Sequence, residues 1–236
     1  YRTVFEREIT MNQRITNLRT KMKAQDLKAV LINNLKNVYY LTGFWGSNGT
    51  VLVTEERVVL FTDSRYTIHA HATCFPFVEI VETRNELEEA AKIVKDAAIH
   101  ELGFEDEITV AYQTRLATAF SGVSLRALSD FVMEFRLIKD ETEVATIRKA
   151  CSISDQAFLD VLEFIKVGQT TELEAATFLD FRMRELGASG VSFDIISAAG
   201  ERSAMPHATP SDRIISAGDA LTLDFGCLYN HYVSDM

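Results

Sequence analysis

The amino-acid sequence predicts an α/β amino-terminal layered domain followed by an α+β domain. Over residues 11–132, short apolar runs typical of buried strands alternate with segments of helical periodicity, which indicates helices packed on a sheet. From residue 133 onward two helices come first and strands with loops follow, an order typical of an α+β domain. The 236 residues are enough for two domains, each with its own hydrophobic core.

The first predicted element is an amphipathic helix that begins at Met11. Ile15, Leu18 and Met22 recur at helical spacing and form its apolar face. Residues 1–10 precede this start; we interpret them as a remnant of cloning and leave them out of the fold argument.

Short apolar runs predict the strands of the first domain, which we place over 11–132. The runs lie at residues 29–32, 51–53, 58–61 and 102–104. Between the last two, an apolar stripe predicts a helix, and residues 112–135 are expected to be helical or mixed. The stripe consists of Leu87, Ala90, Ala91, Val94 and Ala98.

The second domain, placed over 133–236, opens with two helices whose starts the sequence marks clearly. Asp140 with Glu143, and Thr171 with Glu174, have the spacing of a capping box. Gly168 separates the two helices, and strands follow from residue 191. The expected buried face of the first helix is Ile147, Ala150, Cys151, Ser154, Phe158, Val161, Leu162 and Ile165.

Composition restricts the classes of partner. The net charge of −10 argues against binding to a nucleic-acid backbone. No apolar run approaches the roughly 18 residues of a membrane span, and no signal peptide is recognised, so no membrane contact is expected. The three cysteines follow no disulfide or metal spacing, which favours a reducing cytoplasm with the cysteines as small buried residues.

Two carboxylates near the end of the chain are the first candidate site residues. Apolar, β-forming residues flank Asp224 and precede Asp235. A tight turn at Tyr229 and Asn230 would place the two aspartates directly opposite each other, about 4.5–5.5 Å apart at Cβ. That separation suits a pair of metal ions roughly 3.5–4 Å apart. On spacing alone, the alternative remains open that these are ordinary edge or turn residues.

The surrounding sequence resembles a known family. Residues 192–207, which end in Pro206-His207, together with 210–213, 218–219 and the two aspartates, are similar to the first half of the creatinase/methionine-aminopeptidase catalytic domain, the pita-bread fold. The proline-specific branch, the Xaa-Pro aminopeptidases and Xaa-Pro dipeptidases, is the nearest in pattern. Residues 136–143 resemble the opening of that domain. Residues 39–44 and 62–66 resemble its amino-terminal companion.

This resemblance implies a role for each candidate residue. Asp224 would chelate one divalent metal ion and Asp235 would bridge two, with Mn²⁺ favoured by a carboxylate-rich site and Co²⁺ or Zn²⁺ as alternatives. His207 matches the family's substrate-contacting histidine, although a lone His in a polar loop is commonly only a solvated residue. Family members complete the site with one His and two Glu further along. We therefore expect a fragment that ends inside the catalytic domain and is inactive alone.

The implied function is hydrolysis of the peptide bond before proline by a homodimeric exopeptidase of the Xaa-Pro aminopeptidase kind. The alternatives are an Xaa-Pro dipeptidase, a creatinase-like hydrolase without metals, and a non-catalytic binding module of the same fold. The presence of both aspartates favours the peptidases.

Two further features carry expectations. The G-x-x-G-x-x-G run at Gly43, Gly46 and Gly49 is expected to be a turn-rich loop, and by resemblance Phe44 and Trp45 would help to shape a substrate pocket across a dimer contact. His231 stands where family hairpins commonly have Gly, because the turn requires a positive φ.

Overall fold

The computed structural model describes the backbone of residues 4–236 and the side chains of residues 12–236. The chain divides into two compact units, Tyr1–Ile138 and Lys139–Met236. The division falls six residues after the boundary expected at 132/133, because the short helix in between belongs to the first unit. In that helix Phe135 packs against the first unit's core, and Arg136 Nη1 donates to Asn37 Oδ1 at 2.9 Å.

The first unit contains a six-stranded mixed sheet with helices. Its helices are α1 Val4–Ala24, α2 Leu35–Thr42, α3 Thr67–Thr73, α4 Glu86–Asp96, α5 Val110–Ala119 and α6 Met133–Leu137. Its strands are β1 Ala29–Ile32, β2 Thr50–Thr54, β3 Val58–Thr62, β4 Glu79–Glu82, β5 Glu101–Glu105 and β6 Ser124–Leu128. The strand order is β4-β3-β2-β1-β5-β6. Neighbours are antiparallel for β1 with β2 and for β2 with β3, and parallel elsewhere.

Each face of this sheet lies against a separate apolar core. In β1, Val30 and Ile32 join one core with residues of α1 and α2, whereas Ala29 and Leu31 join the other with residues of α4 and α5. This division follows from the alternation of side chains along a strand. The predicted layered α/β domain is confirmed, and the continuous apolar runs are explained by burial on both faces.

Helix α1 begins at Val4, so its predicted start at Met11 was wrong. No Gly or Pro occurs between Val4 and Ala24, and nothing in that sequence interrupts helical hydrogen bonding at Met11. The structure does not test the interpretation of residues 1–10 as a remnant, and their side chains lie outside the described part of the chain. The interpretation stays a prediction.

The second unit combines two long helices with two small antiparallel sheets. Its elements are α7 Glu141–Phe164, α8 Glu172–Glu185, β7 Gly190–Val191, β8 Ile196–Ala199, a 3-10 helix Gly200–Ala204, β9 Leu221–Asp224, β10 Cys227–Tyr229 and β11 Tyr232–Val233. One sheet has the order β11-β10-β7 and the other pairs β8 with β9. This arrangement confirms the α+β class.

Both predicted capping boxes are present. The Asp140 carboxylate accepts from the backbone N–H of Thr142 and Glu143, and the Glu143 carboxylate accepts from the Asp140 N–H at 2.8 Å. Thr171 and Glu174 form the same reciprocal pair at the start of α8. These caps place the first turn of each helix at the residue that the sequence indicates.

The buried face of α7 was predicted partly wrong. Ile153 and Ala157 are buried, whereas Leu162 is 52% exposed and Cys151 is exposed. The interpretation of all three cysteines as buried residues therefore fails for Cys151. The face is set by contact with α8 and the β10–β11 hairpin, and the apolar pattern of the isolated helix does not specify that contact.

Leu179 and Leu173 provide a test of the second core on one helix. Leu179 is fully buried, so Leu179→Ala is expected to lower the free energy of unfolding by about 2–5 kcal/mol. Leu173 is half exposed, and Leu173→Ala is expected to cost less than about 1 kcal/mol. Urea unfolding followed by circular dichroism measures both; equal losses would contradict this core assignment.

Candidate active site

The hairpin that carries the aspartates turns one residue later than predicted. Tyr229 pairs with Tyr232 and Leu228 with Val233, so the turn consists of Asn230 and His231. Their φ angles are +46° and +70°, the double positive φ of a type I′ turn. Asn and His are among the residues that accept this conformation more often than most, so His231 can stand where a glycine is usual.

The observed register changes the relation between the two carboxylates. Phe225 and Met236 exchange both backbone hydrogen bonds at 3.0 Å, which places Asp235 opposite Gly226. The prediction that Asp224 directly opposes Asp235 was therefore wrong. Relative to the prediction, the position opposite Asp224 lies two residues further along the chain. Because side chains alternate with a period of two along a strand, both aspartates still lie on one face. They are diagonal neighbours, at about 7–8 Å or somewhat less between Cβ atoms.

Gly226 lies between the two aspartates, where the backbone leaves no room for a side chain. A Cβ at this residue would lie 2.1 Å from the Ser234 carbonyl oxygen and 2.4 Å from Ser192 Oγ. The Gly226 carbonyl also accepts from the Ser192 N–H at 3.0 Å. Residues 192, 226 and 234, which belong to three separate segments, therefore meet at this glycine.

Buried hydroxyls fix the hairpin to helix α7. Ser234 Oγ lies 2.7 Å from Ser154 Oγ and accepts from the Cys227 N–H at 2.9 Å. Near the start of the same helix, the Tyr232 hydroxyl donates to Glu143 Oε1 at 2.8 Å. Asp235 follows Ser234 directly, so these contacts hold its backbone. Sequence reasoning missed this role of Ser154 and Ser234, because a buried serine in an apolar stripe gives no distinct signal.

The two carboxylates have no partner among the described side chains. Asp224 is half-buried at the end of β9, where it pairs with Ile196 of β8, and Asp235 is exposed. Within residues 12–236, neither carboxylate accepts a side-chain hydrogen bond or forms an ion pair. Two carboxylates on one face with no neighbouring cation are suitable ligands for a divalent metal ion. The residues present therefore agree with part of a metal site. The same residues contain no group of three or more His, Cys, Asp or Glu side chains that could hold a metal.

His207 lies in an exposed turn after the 3-10 helix Gly200–Ala204. This helix lies next to β9, because Thr222 Oγ1 donates to the Ser203 carbonyl at 3.4 Å. The structure therefore brings the start of the His207 loop to the strand that ends in Asp224. Among the described residues, the imidazole itself makes no hydrogen bond to either aspartate.

A buried carboxylate that sequence reasoning did not single out holds this loop. Glu172, at the start of α8, is fully buried. Its Oε1 accepts from the Ala199 N–H at 2.8 Å, and its Oε2 accepts from Arg202 Nε at 3.1 Å and from Ser211 Oγ at 2.6 Å. Burial opposes ionisation of Glu172, but the hydrogen bonds from Ser211, Ala199 and Arg202 outweigh it and lower the pKa of its carboxyl.

A second ion pair lies in the segment between the His207 loop and β9. Arg213 Nη2 contacts both carboxylate oxygens of Asp219 at 3.1 Å, and the Asp219 carboxylate accepts from the Ser216 N–H. A Cβ at Gly200 would lie 2.2 Å from Arg213 Nη2, so the backbone of the 3-10 helix passes directly over this pair. The segment from β8 to β9 is thus fixed by charged contacts at both ends.

The glycine-rich loop of the first unit has a structural role. Phe44 is buried in the core and contacts Tyr66 edge to face, whereas Trp45 is 39% exposed and contacts Tyr39. Asn48 Nδ2 donates to Asp63 Oδ2 at 2.6 Å, which ties the loop to the end of β3. The pocket role expected for Phe44 does not agree with its burial.

No helix among the described residues is long and apolar enough to cross a membrane.

An α/β domain followed by an α+β unit with two aspartates on one hairpin face is the arrangement of a pita-bread metallopeptidase, and sequence comparison agrees. Residues 14–138 match the Creatinase/Prolidase N-terminal domain, and residues 145–236 match Metallopeptidase family M24. The chain therefore belongs to the creatinase/prolidase family of M24 metallopeptidases, which confirms the resemblance.

Individual relatives support this assignment. An uncharacterized peptidase of Bacillus subtilis, YqhT, is 36% identical over 225 residues, which are 94% of this chain and 63% of the relative. An Xaa-Pro dipeptidase structure from Bacillus anthracis has a TM-score of 0.89 at 36% identity, covering 95% of this chain and 63% of that one. An X-Pro aminopeptidase from Thermotoga maritima has a TM-score of 0.83 at 34% identity, covering 94% and 63%. The chain thus spans about 63% of the length of these relatives.

Gly226 and Gly190 form a matched pair for testing the hairpin. Gly226→Ala is expected to cost at least about 1–3 kcal/mol of unfolding free energy, because its Cβ would overlap a backbone carbonyl. Around Gly190 the nearest atom to a Cβ is Arg184 Nη2 at 3.8 Å, so Gly190→Ala is expected to stay within about 0.5 kcal/mol. Denaturant unfolding compares the two, and a neutral Gly226→Ala would contradict the close backbone approach.

Glu172 gives a prediction for acid stability. Its carboxyl binds a proton more weakly in the folded than in the unfolded chain, so its stabilisation is complete above the ordinary glutamate pKa of about 4.3. That stabilisation is lost as the pH falls through the lowered folded value. Glu172→Gln should therefore lose less stability than the wild type between about pH 5 and pH 3. Urea unfolding at a series of pH values measures this; identical slopes would contradict it.

Proposed function

We propose that the full-length protein is a metallo-exopeptidase with two divalent metal ions that hydrolyses the peptide bond preceding proline, as an Xaa-Pro aminopeptidase does. The observation that carries the proposal is the pair of unpartnered carboxylates, Asp224 and Asp235, on one face of a hairpin in a chain of the M24 family. Solved relatives that act before proline support the substrate class.

Each residue has a defined part in this proposal. Asp224 and Asp235 would hold the ions, with Mn²⁺ favoured by carboxylate donors. When bound, two such ions supply an activated water and polarise the scissile carbonyl. His207 would donate an imidazole N–H to the carbonyl oxygen as negative charge develops there. Because residues 12–236 provide only two ligands on this face, further ligands from outside the chain are part of the proposal, and residues 1–236 alone are expected to be inactive. The proposal also includes that the protein is cytoplasmic and forms a homodimer.

The second candidate is an Xaa-Pro dipeptidase, and a specific observation favours it. The Bacillus anthracis structure with the TM-score of 0.89 is an Xaa-Pro dipeptidase. The two activities differ in whether a residue follows proline. A non-catalytic binding module and a metal-free creatinase-like hydrolase have less support, because this chain has both aspartates.

Peptide hydrolysis by the full-length protein separates these functions. The protein is incubated with Mn²⁺ and either an Xaa-Pro dipeptide or an Xaa-Pro-Yaa tripeptide, with a chelator in parallel. Chelator-sensitive cleavage of the tripeptide supports the aminopeptidase, and preference for the dipeptide supports the alternative. No cleavage of either by protein shown to carry two metals would overturn both.

Asp235→Asn tests the metal role in the full-length protein. Replacing a carboxylate with a neutral amide is expected to remove bound metal and activity together, because the amide is a weaker ligand for divalent cations. Metal analysis of the purified protein, with activity in the same samples, measures both. Asp155→Asn, an exposed position on α7, is the control and should retain both. Normal activity in Asp235→Asn would exclude the site.

His207→Ala tests the proposed hydrogen-bond donor. We expect turnover to fall by about 10- to 1,000-fold with metal content unchanged, as for a lost oxyanion donor. Steady-state kinetics and metal analysis on one preparation distinguish the outcomes. If metal is lost instead, His207 is a ligand or a structural residue.

A further inference from the structure

The loop that presents His207 is closed by a single buried carboxylate. Glu172 binds Arg202, five residues before His207, and Ser211, four residues after it. Arg202 Nη2 also donates to the Thr209 carbonyl at 2.6 Å, which joins the two sides of the loop directly. The ten residues 202–211 therefore form a ring whose ends meet at Glu172, with His207 on its exposed side.

The same carboxylate connects the ring to regular structure. Glu172 belongs to the first turn of α8, and its own N–H donates to the Arg213 carbonyl at 3.0 Å. The neighbouring Leu173 N–H donates to the Ser211 carbonyl at 3.0 Å. Glu172 Oε1 accepts from Ala199, the last residue of β8, and β8 pairs with the strand that ends in Asp224. One side chain thus links the His207 loop, α8 and the sheet that carries the first aspartate.

We propose that Glu172 is a positioning residue for His207: it holds loop 202–211 so that the imidazole is presented at a constant place relative to Asp224. This inference rests on the proposed role of His207. A loop of ten residues with no such closure samples many backbone conformations, and misplacement by about 1 Å can cost a catalytic group on the order of 100-fold in rate. Glu172 contacts neither substrate nor metal in this scheme.

The test is a double-mutant cycle in the full-length protein with Mn²⁺ and the preferred proline peptide. Glu172→Gln is expected to lower kcat about tenfold or more, with KM and metal content changed less than about threefold. In the His207→Ala background the same substitution should change kcat less than about twofold, since a loop without its imidazole has nothing left to position. Additive losses in the two backgrounds would overturn the proposal.

Two further variants serve as controls for the double-mutant cycle. Glu174→Gln removes a carboxylate from the same helical turn, which within the described part of the chain bonds only Thr171, and is expected to leave kcat within twofold. Ser211→Ala removes one donor to Glu172 and serves if Glu172→Gln fails to fold; its loss of kcat should also vanish in the His207→Ala background. An equal effect of Glu174→Gln would show a general effect of the helix terminus and overturn the proposal.

Amide hydrogen exchange separates failure of this inference from failure of the proposed function. Glu172→Gln should speed exchange in residues 202–211 and leave α7 and the β10–β11 hairpin unchanged. If His207→Ala is fully active while exchange behaves as expected, Glu172 holds the loop but the role of His207 is wrong. If exchange in the loop is unchanged, Glu172 does not hold it, whatever the activity.

Discussion

The second unit depends on how one buried negative charge is satisfied. Glu172 is fully buried, and a carboxylate in that position is tolerated only with several donors and a cation. The donors come from the end of β8, from the 3-10 helix and from the segment before β9, so the folding of those segments and the burial of the charge require each other. Each donor that is removed would weaken the compensation of the buried charge, so the contacts of Glu172 support one another.

The aspartate hairpin obeys a different constraint, that of close backbone approach. Gly226 allows the Ser234 carbonyl to come within a distance that any Cβ would prevent, and the buried Ser154–Ser234 contact fixes the hairpin to α7. These contacts involve only neutral groups, yet they hold the backbone that carries an exposed and a half-buried carboxylate. The two carboxylates that would hold the proposed metal ions thus belong to a hairpin that neutral hydrogen bonds and close backbone contact hold in place.

Much of the fold followed from the sequence because local rules agreed with tertiary packing. The four predicted strand runs of the first unit and both capping boxes were found, since burial on both faces of the sheet and helix-end chemistry give strong local signals. Strand β4 and helices α2 and α3 were not predicted, nor was strand β6 within the segment 112–135 that was expected to be helical or mixed. Strand β4 is half-buried to exposed and paired on one edge, so its apolar pattern is weak. The hairpin register was missed because a type I′ turn with His at positive φ has no strong sequence signal.

The sequence by itself determined the fold class, the starts of α7 and α8, and the presence of two candidate metal-binding carboxylates with a histidine upstream. Those features depend on residue type and on spacing along the chain. Only the tertiary structure decided that Asp235 faces Gly226 and is diagonal to Asp224, and that Glu172 holds both sides of the His207 loop. Both facts join residues that are distant in sequence through backbone geometry and shared burial. Such contacts arise from the way separate elements pack together, and no single stretch of sequence contains them.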